Sequence, residues 1–79
     1  MADYDIEIAD YWMKLRRQSV QDGSVWRHKK RGTEYKVMTL AIRETDGHPL
    51  VIYKCVKDGR VWAREAGLFT DGRFVKISD

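Results

Sequence analysis

The chain has 79 residues, 43% of them hydrophobic and 34% charged, a balance typical of one small folded domain and not of a disordered or membrane-embedded protein. A single cysteine excludes an internal disulfide, and no apolar run approaches the roughly 20 residues that a membrane span requires. The formal net charge of +3 hides a basic stretch between positions 11 and 36, which holds eight basic and two acidic residues and favours anionic partners.

Residues 1–23 predict an amphipathic helix. Acidic residues beginning at Asp3 come first, basic residues beginning at Lys14 come last, and Gly23 supplies a stop, an order that complements the helix dipole. Apolar side chains at helical spacing form a stripe of Tyr4, Ile8, Tyr11, Trp12 and Leu15. This stripe is covered either by the chain's own domain, which we favour, or by a second copy, for which these five residues are the candidate interface.

Residues 24–79 predict five short strands, because four turn sequences separate runs of β-branched and aromatic residues. We place the strands near Val25–Lys29, Glu34–Arg43, Leu50–Val56, Val61–Arg64 and Phe74–Ile77. A single helical turn is expected at 65–69, and apolar groups on both faces of the second strand predict a bulge or burial of both faces at one end. The predicted fold is mainly β with an N-terminal helix: either a small five-stranded antiparallel barrel of SH3-like type or a strongly curved sheet.

Two groups of side chains predict ligand binding. The first is a basic run that enters a turn and offers charge to phosphate; it comprises Arg27, His28, Lys29, Lys30 and Arg31. The second is an aromatic platform beside guanidinium groups, on which a base can stack; it comprises Trp26, Tyr53, Arg60, Trp62 and Arg64. A solvated hairpin and an aromatic core are the alternative interpretations, and for Trp62 the core is the favoured one.

Catalysis and metal binding are not expected. Cys55 lies in mid-strand without a helix N-terminus to activate its thiol, so we interpret it as a core residue. His28, His48 and Cys55 lack the close spacing of structural zinc ligands. The sequence therefore predicts a non-enzymatic protein with no catalytic residue, no metal and no cofactor.

Six short motifs lie between Val25 and Ile77, at residues 26–28, 30–33, 35–37, 51–53, 58–64 and 69–74. With these motifs the region resembles a family of short bacterial and phage proteins of unknown function. The Asp-Gly-Arg-Phe sequence at 71–74 resembles the phage-encoded branch in particular. The resemblance implies a small β fold without known enzyme activity. It supplies no ligand, and it does not extend to the N-terminal helix.

The leading hypothesis is a phage-type accessory protein that binds a phosphate-bearing ligand, such as a nucleotide signal of host defence, and sequesters it. A nucleic-acid-binding module and an inhibitor that docks on a host protein are the alternatives. A second copy of the chain is a further candidate partner, and a membrane is not expected. We expect a cytoplasmic location, in the bacterial host if the chain is phage-encoded.

Overall fold

The computed structural model describes residues 4–79, in which a helix lies against a five-stranded sheet. The elements in chain order are α1 (Ile6–Arg17), β1 (Val25–His28), β2 (Glu34–Ile42), β3 (Pro49–Cys55), β4 (Val61–Glu65), α2 (Ala66–Phe69) and β5 (Phe74–Ser78). Each strand begins and ends within one residue of its predicted position, and α2 is the predicted helical turn.

Helix α1 starts later and ends earlier than the predicted segment. Asp5 is its N-cap, because the Asp5 side chain accepts a hydrogen bond from the backbone N–H of Glu7 at 2.9 Å. The last turn carries basic residues, and an irregular turn then leads to Gly23, whose φ of 84° belongs to the left-handed region. Asp3, which we predicted in the first turn, lies outside the described residues.

The five strands form one antiparallel sheet in the order β4-β3-β2-β1-β5. Over residues 4–79, β4 and β5 do not pair with each other, so the sheet is not closed into a barrel. It is nevertheless strongly curved, since Arg64 on β4 lies over the ring of Phe74 on β5, with 5.7 Å from its guanidinium carbon to the ring centroid. The predicted fold class is confirmed, and the strongly curved sheet is the form that the structure adopts.

The second strand contains the predicted irregularity. Its pairing with β3 changes register between Val37 and Thr39, so the residue between them, Met38, has no partner in the ladder. Val37 and Leu40 are buried while Met38 is 49% exposed. The register shift explains how apolar side chains can occupy both faces of this strand.

An aromatic core fills the concave face of the sheet. Phe69 of α2 is fully buried, stacks on Phe74 with 4.4 Å between ring centroids, and meets Trp26 edge-on at 5.0 Å. The indole N–H of Trp26 donates a hydrogen bond to the hydroxyl of Ser24 at 2.9 Å, so its polar atom is satisfied within the core. Cys55 is buried in the same core, as predicted.

Helix α1 packs on β2 and β3 through a face that differs from the predicted stripe. The small Ala9 is buried at the helix–sheet contact, and Met13 packs against the core. The expectation that the apolar stripe is covered by its own domain is therefore wrong for three of its five residues. Ile8, Tyr11 and Leu15 remain 49%, 60% and 44% exposed.

The two other residues of the stripe contact the chain's own surface. The ring of Trp12 stacks on His48, with 4.7 Å between centroids. Tyr4 lies close over Gly47, which has a positive φ of 77°. Trp12 and Tyr4 thus tie the helix to the β2–β3 turn and are poor candidates for an interface with a second copy.

Candidate functional site

A basic cleft lies at one end of the curved sheet. Its cavity of about 660 Å³ is lined by His28, Lys29, Lys30, Arg31, Arg64 and Arg73. Two features of the fold bring these residues together. The pairing of β1 with β5 places His28 opposite Phe74 and lets the N–H of Lys29 donate to the carbonyl of Arg73 at 2.9 Å. The curvature of the sheet then carries Arg64 across from β4.

The positive charge of the basic cleft is largely uncompensated. Arg73 forms a salt bridge with Asp71, at 3.3 Å between Nε and Oδ2. Within residues 4–79 the other four cations of the cleft form no salt bridge with a carboxylate. An anion that enters the cleft therefore meets charges that no described internal partner occupies.

The pKa of His28 is lowered in the basic cleft. Partial burial is the main cause that lowers its pKa from 6.5, and the charges of Arg31, Arg64, Arg73 and Lys30 lower that pKa further. The Nδ1 atom of His28 accepts a hydrogen bond from the backbone N–H of Arg31 at 3.2 Å. The neutral ring therefore carries its proton on Nε2 and can donate a hydrogen bond from that atom.

An aromatic pocket adjoins the basic cleft. Its cavity of about 180 Å³ is lined by His28, Arg31, Tyr35, Tyr53, Trp62, Arg64 and Phe74. Three of these residues, His28, Arg31 and Arg64, also line the basic cleft. The two cavities therefore share one wall of cationic and imidazole side chains.

Trp62 forms the open side of the aromatic pocket. The favoured expectation that Trp62 is buried in the core is wrong, because 48% of its surface is exposed. It lies opposite Tyr53 in the register of β3 and β4, but β4 is an edge strand and no strand covers Trp62 from the other side. Tyr53 itself is buried at the bottom of the pocket.

The structure does not bring every predicted site residue to this place. Trp26 is buried in the core and does not line either cavity. Arg27 is exposed and alternates with His28 along β1, so it projects from the opposite face of the sheet. Arg60 lies in the β3–β4 turn, where it is 3.9 Å from Asp58 and mostly exposed. We exclude these three residues from the candidate site.

Sequence reasoning missed three residues of the site, Tyr35, Arg73 and Phe74. Arg73 and Phe74 belong to the Asp-Gly-Arg-Phe sequence, which the sequence analysis uses as a family motif and not as a source of ligand contacts. Their signal is long-range, since only the pairing of the last strand with the first brings them beside His28. Tyr35 alternates into the concave face of β2 and meets Phe74 edge-on at 5.8 Å.

Residues 4–79 contain no group of three or more His, Cys, Asp and Glu side chains that is arranged to hold a metal ion. Cys55 is buried, while His48 is exposed and stacked on Trp12, so the environments of the thiol and this imidazole differ. In the same part of the chain, neither helix has the length and apolar character that crossing a membrane requires.

A family model described as a protein of unknown function, DUF1653, matches residues 24–76. The chain belongs to the DUF1653 family. The matched region contains every residue that lines the basic cleft and the aromatic pocket, whereas α1 lies outside it. Comparison of this DUF1653 protein with curated proteins and with solved structures gave no match.

Proposed function

We propose that this DUF1653 protein is a non-enzymatic binding module for a nucleotide-type ligand. In this proposal the basic cleft holds the phosphates and the aromatic pocket holds the base. The observation that carries it is that the two cavities share His28, Arg31 and Arg64. A nucleotide combines an anionic group with a planar aromatic group at short range, and the site offers a complement to each.

The charges of the basic cleft support phosphate as the anion. Arg31 and Arg64 each present a planar guanidinium that can donate two parallel hydrogen bonds to phosphate oxygens. Neither side chain has to leave a carboxylate of residues 4–79 to do so. Lys29 and Lys30 add charge at the same cavity, which raises the rate at which an anion encounters the site.

The backbone of the β1–β2 turn and the side chain of Arg64 have defined partners before a ligand arrives. The β1–β2 turn is closed by the N–H of Gly32, which donates to the carbonyl of His28 at 2.7 Å, and by the Arg31-to-His28 hydrogen bond. Arg64 is placed by its contact with the face of Phe74. Because the turn backbone and Arg64 are already ordered, binding loses less conformational entropy than it would at a flexible basic loop.

Trp62 supplies the stacking surface. Its half-exposed indole lies on an edge strand beside the buried Tyr53, so one side is supported and part of the ring remains open. Stacking of a base on such a ring contributes about 1–3 kcal/mol. This contribution distinguishes a nucleotide from a simple phosphate.

A small ligand fits the distribution of charge better than a nucleic-acid strand does. The two cavities occupy one end of the sheet, and Arg27 and Arg60, which would extend a basic strip, lie on another face and in another turn. In the phage-type role that the sequence motifs imply, the ligand is a nucleotide signal of host defence. Sequestering such a signal requires affinity and no bond-breaking group.

Isothermal titration calorimetry tests the proposal at low and at physiological salt. The four probes are pyrophosphate, ADP-ribose, a cyclic dinucleotide and a single-stranded oligonucleotide. We expect at least one nucleotide to bind about tenfold or more tightly than pyrophosphate, because only the nucleotide can stack. Trp62→Ala should remove that difference. Val61→Ala is the matched control, since Val61 is equally exposed, at 55%, but projects from the opposite face of β4.

Two results would contradict the proposal. If none of the probes binds to the folded protein, the site is not an anion receptor. If the oligonucleotide binds most tightly and its affinity falls steeply with salt, the ligand is nucleic acid.

A further inference from the structure

An apolar stripe on α1 is only partly covered within residues 4–79. Its members are Ile8, Tyr11 and Leu15, which are about half exposed, whereas the opposite side of the helix packs on the sheet through Ala9. Spacings of three and four residues place the three side chains in one line along the helix. A line of this kind is the seam along which two helices pack.

We infer that the stripe pairs with the same stripe of a second copy, with the two α1 helices antiparallel. The charges of the helix argue for this orientation. Acidic residues occupy its first half and basic residues its second half. Antiparallel packing sets the acidic half of each helix beside the basic half of the other, whereas parallel packing sets like charges together.

One pair of residues makes the complementarity specific. Glu7 and Lys14 each precede a seam residue by one position, so both lie on the same side of the stripe. In an antiparallel pair this side of one helix faces the same side of the other, and Glu7 of each copy then lies near Lys14 of the second copy. The two-fold axis passes close to Tyr11, and Ile8 of one copy lies between Tyr11 and Leu15 of the other.

Neither Glu7 nor Lys14 forms a salt bridge within residues 4–79, and both are exposed. The helix is already ordered by its own sheet, so association does not have to nucleate it. A helix of 12 residues is only about 18 Å long. The interface is therefore smaller than the standard size, and we expect a weak dimer with a dissociation constant on the order of 100 µM.

Sedimentation equilibrium over a range from about 10 µM to about 1 mM tests the dimer, because mass action then spans the expected constant. The apparent mass should rise from that of the monomer toward twice that value. Leu15→Glu should hold the chain at the monomer mass. Leu68→Glu is the matched control, because Leu68 on α2 is exposed to the same extent, 43%, and lies outside the stripe.

A charge-reversal pair tests the orientation. Glu7→Lys and Lys14→Glu each place like charges across an antiparallel seam, so each variant alone should dimerise at least severalfold more weakly. An equimolar mixture of the two should recover the dimer, since one variant is then basic at both positions and the other acidic at both. Circular dichroism establishes that every variant remains folded.

Three results would overturn the inference: a chain that stays monomeric at the highest concentration, equal effects of Leu15→Glu and Leu68→Glu, or a mixture that associates no better than its components. The first result would leave the stripe for a partner other than this chain. None of these substitutions touches the basic cleft or the aromatic pocket, so the outcome is independent of the proposed nucleotide binding.

Discussion

Replacing Arg64 by glutamine tests the basic cleft most directly. The guanidinium has no salt-bridge partner within residues 4–79, so its removal leaves no internal charge unpaired. A hydrogen bond to a charged group contributes about 1.5–3 kcal/mol, and about 1.4 kcal/mol corresponds to a tenfold change in affinity. Because the cleft is open to water, the lower half of this range applies. We expect Arg64→Gln to weaken binding of a cyclic dinucleotide by about 10- to 40-fold.

Arg27→Gln is the matched control for this substitution. It lowers the net charge by the same one unit, but Arg27 projects from the other face of β1. At physiological ionic strength charges are screened over about 8 Å, so we expect less than about a twofold effect. Arg64→Lys should fall between the two, since lysine keeps the charge and loses the planar pair of donors.

Affinities are measured by isothermal titration calorimetry at physiological salt. Circular dichroism monitors the thermal unfolding of each variant. Equal weakening by Arg64→Gln and Arg27→Gln in folded proteins would refute the reasoning. It would mean that the ligand responds to the overall charge of the chain and not to a site on it.

Three further predictions concern the core, the pH dependence and one turn. Phe69→Ala should lower the free energy of unfolding by about 3–5 kcal/mol, a large part of the total for a chain of this size, because the ring is fully buried. Since the pKa of His28 is lowered from 6.5 in the folded chain, stability should fall as the pH drops below about 6.5. Over the same range the affinity for a phosphodiester should rise, because the bound anion favours the protonated ring. Gly47→Ala should destabilise the chain by about 1–2 kcal/mol or more, since a Cβ there would lie 2.5 Å from the Tyr4 ring and φ is positive.

Each of these predictions has its own control. Leu68→Ala, next to Phe69 but 43% exposed, should change urea unfolding little, and equal losses would contradict the assignment of the core. His28→Asn keeps an acceptor for the turn and should flatten both pH profiles; a profile unchanged in this variant would exclude His28 as the titrating group. Gly59 has nearly the same φ, 76°, but a Cβ there would meet only ordinary contacts. Thermal unfolding of Gly59→Ala therefore measures the cost of the positive φ without the clash. No difference between the two glycine variants would mean that the Tyr4 ring moves freely.

Much of the fold follows from local sequence. Three of the connections between strands carry an Asp-Gly pair, and the glycine of each has the positive φ that the pair predicts, with values of 77°, 76° and 108° at Gly47, Gly59 and Gly72. Alternation within each strand then separates buried from exposed side chains, as it does for Tyr53 and its neighbours on β3. Turn chemistry and alternation depend on a few adjacent residues, so they can be identified without the tertiary structure.

The site and the helix face depend on interactions that local patterns do not encode. The sequence predicts the basic run at 27–31, of which 28–31 line the cleft, but Arg73 reaches this run only because β5 pairs with β1. Trp62 was expected in the core, and its exposure follows from the position of β4 at the edge of the sheet. On α1 the small Ala9 permits close approach to the sheet, so its side of the helix is buried while Ile8, Tyr11 and Leu15 face outward. The shape of the helix–sheet contact, and not hydrophobicity, therefore decides which face of α1 is buried.

If the proposed function holds, the missing ladder between β4 and β5 bears on how the nucleotide enters and leaves. Trp62 and Arg64 lie on the β4 side of this gap, and Phe74 lies on the β5 side. Over residues 4–79 no backbone hydrogen bond joins the two strands. Separating β4 from β5 disrupts side-chain contacts, chiefly that of Arg64 with Phe74, which contributes about 0.5–2 kcal/mol. The sheet can thus open between β4 and β5 while its four ladders stay intact, and in the proposed function the exchange of a nucleotide requires no local unfolding.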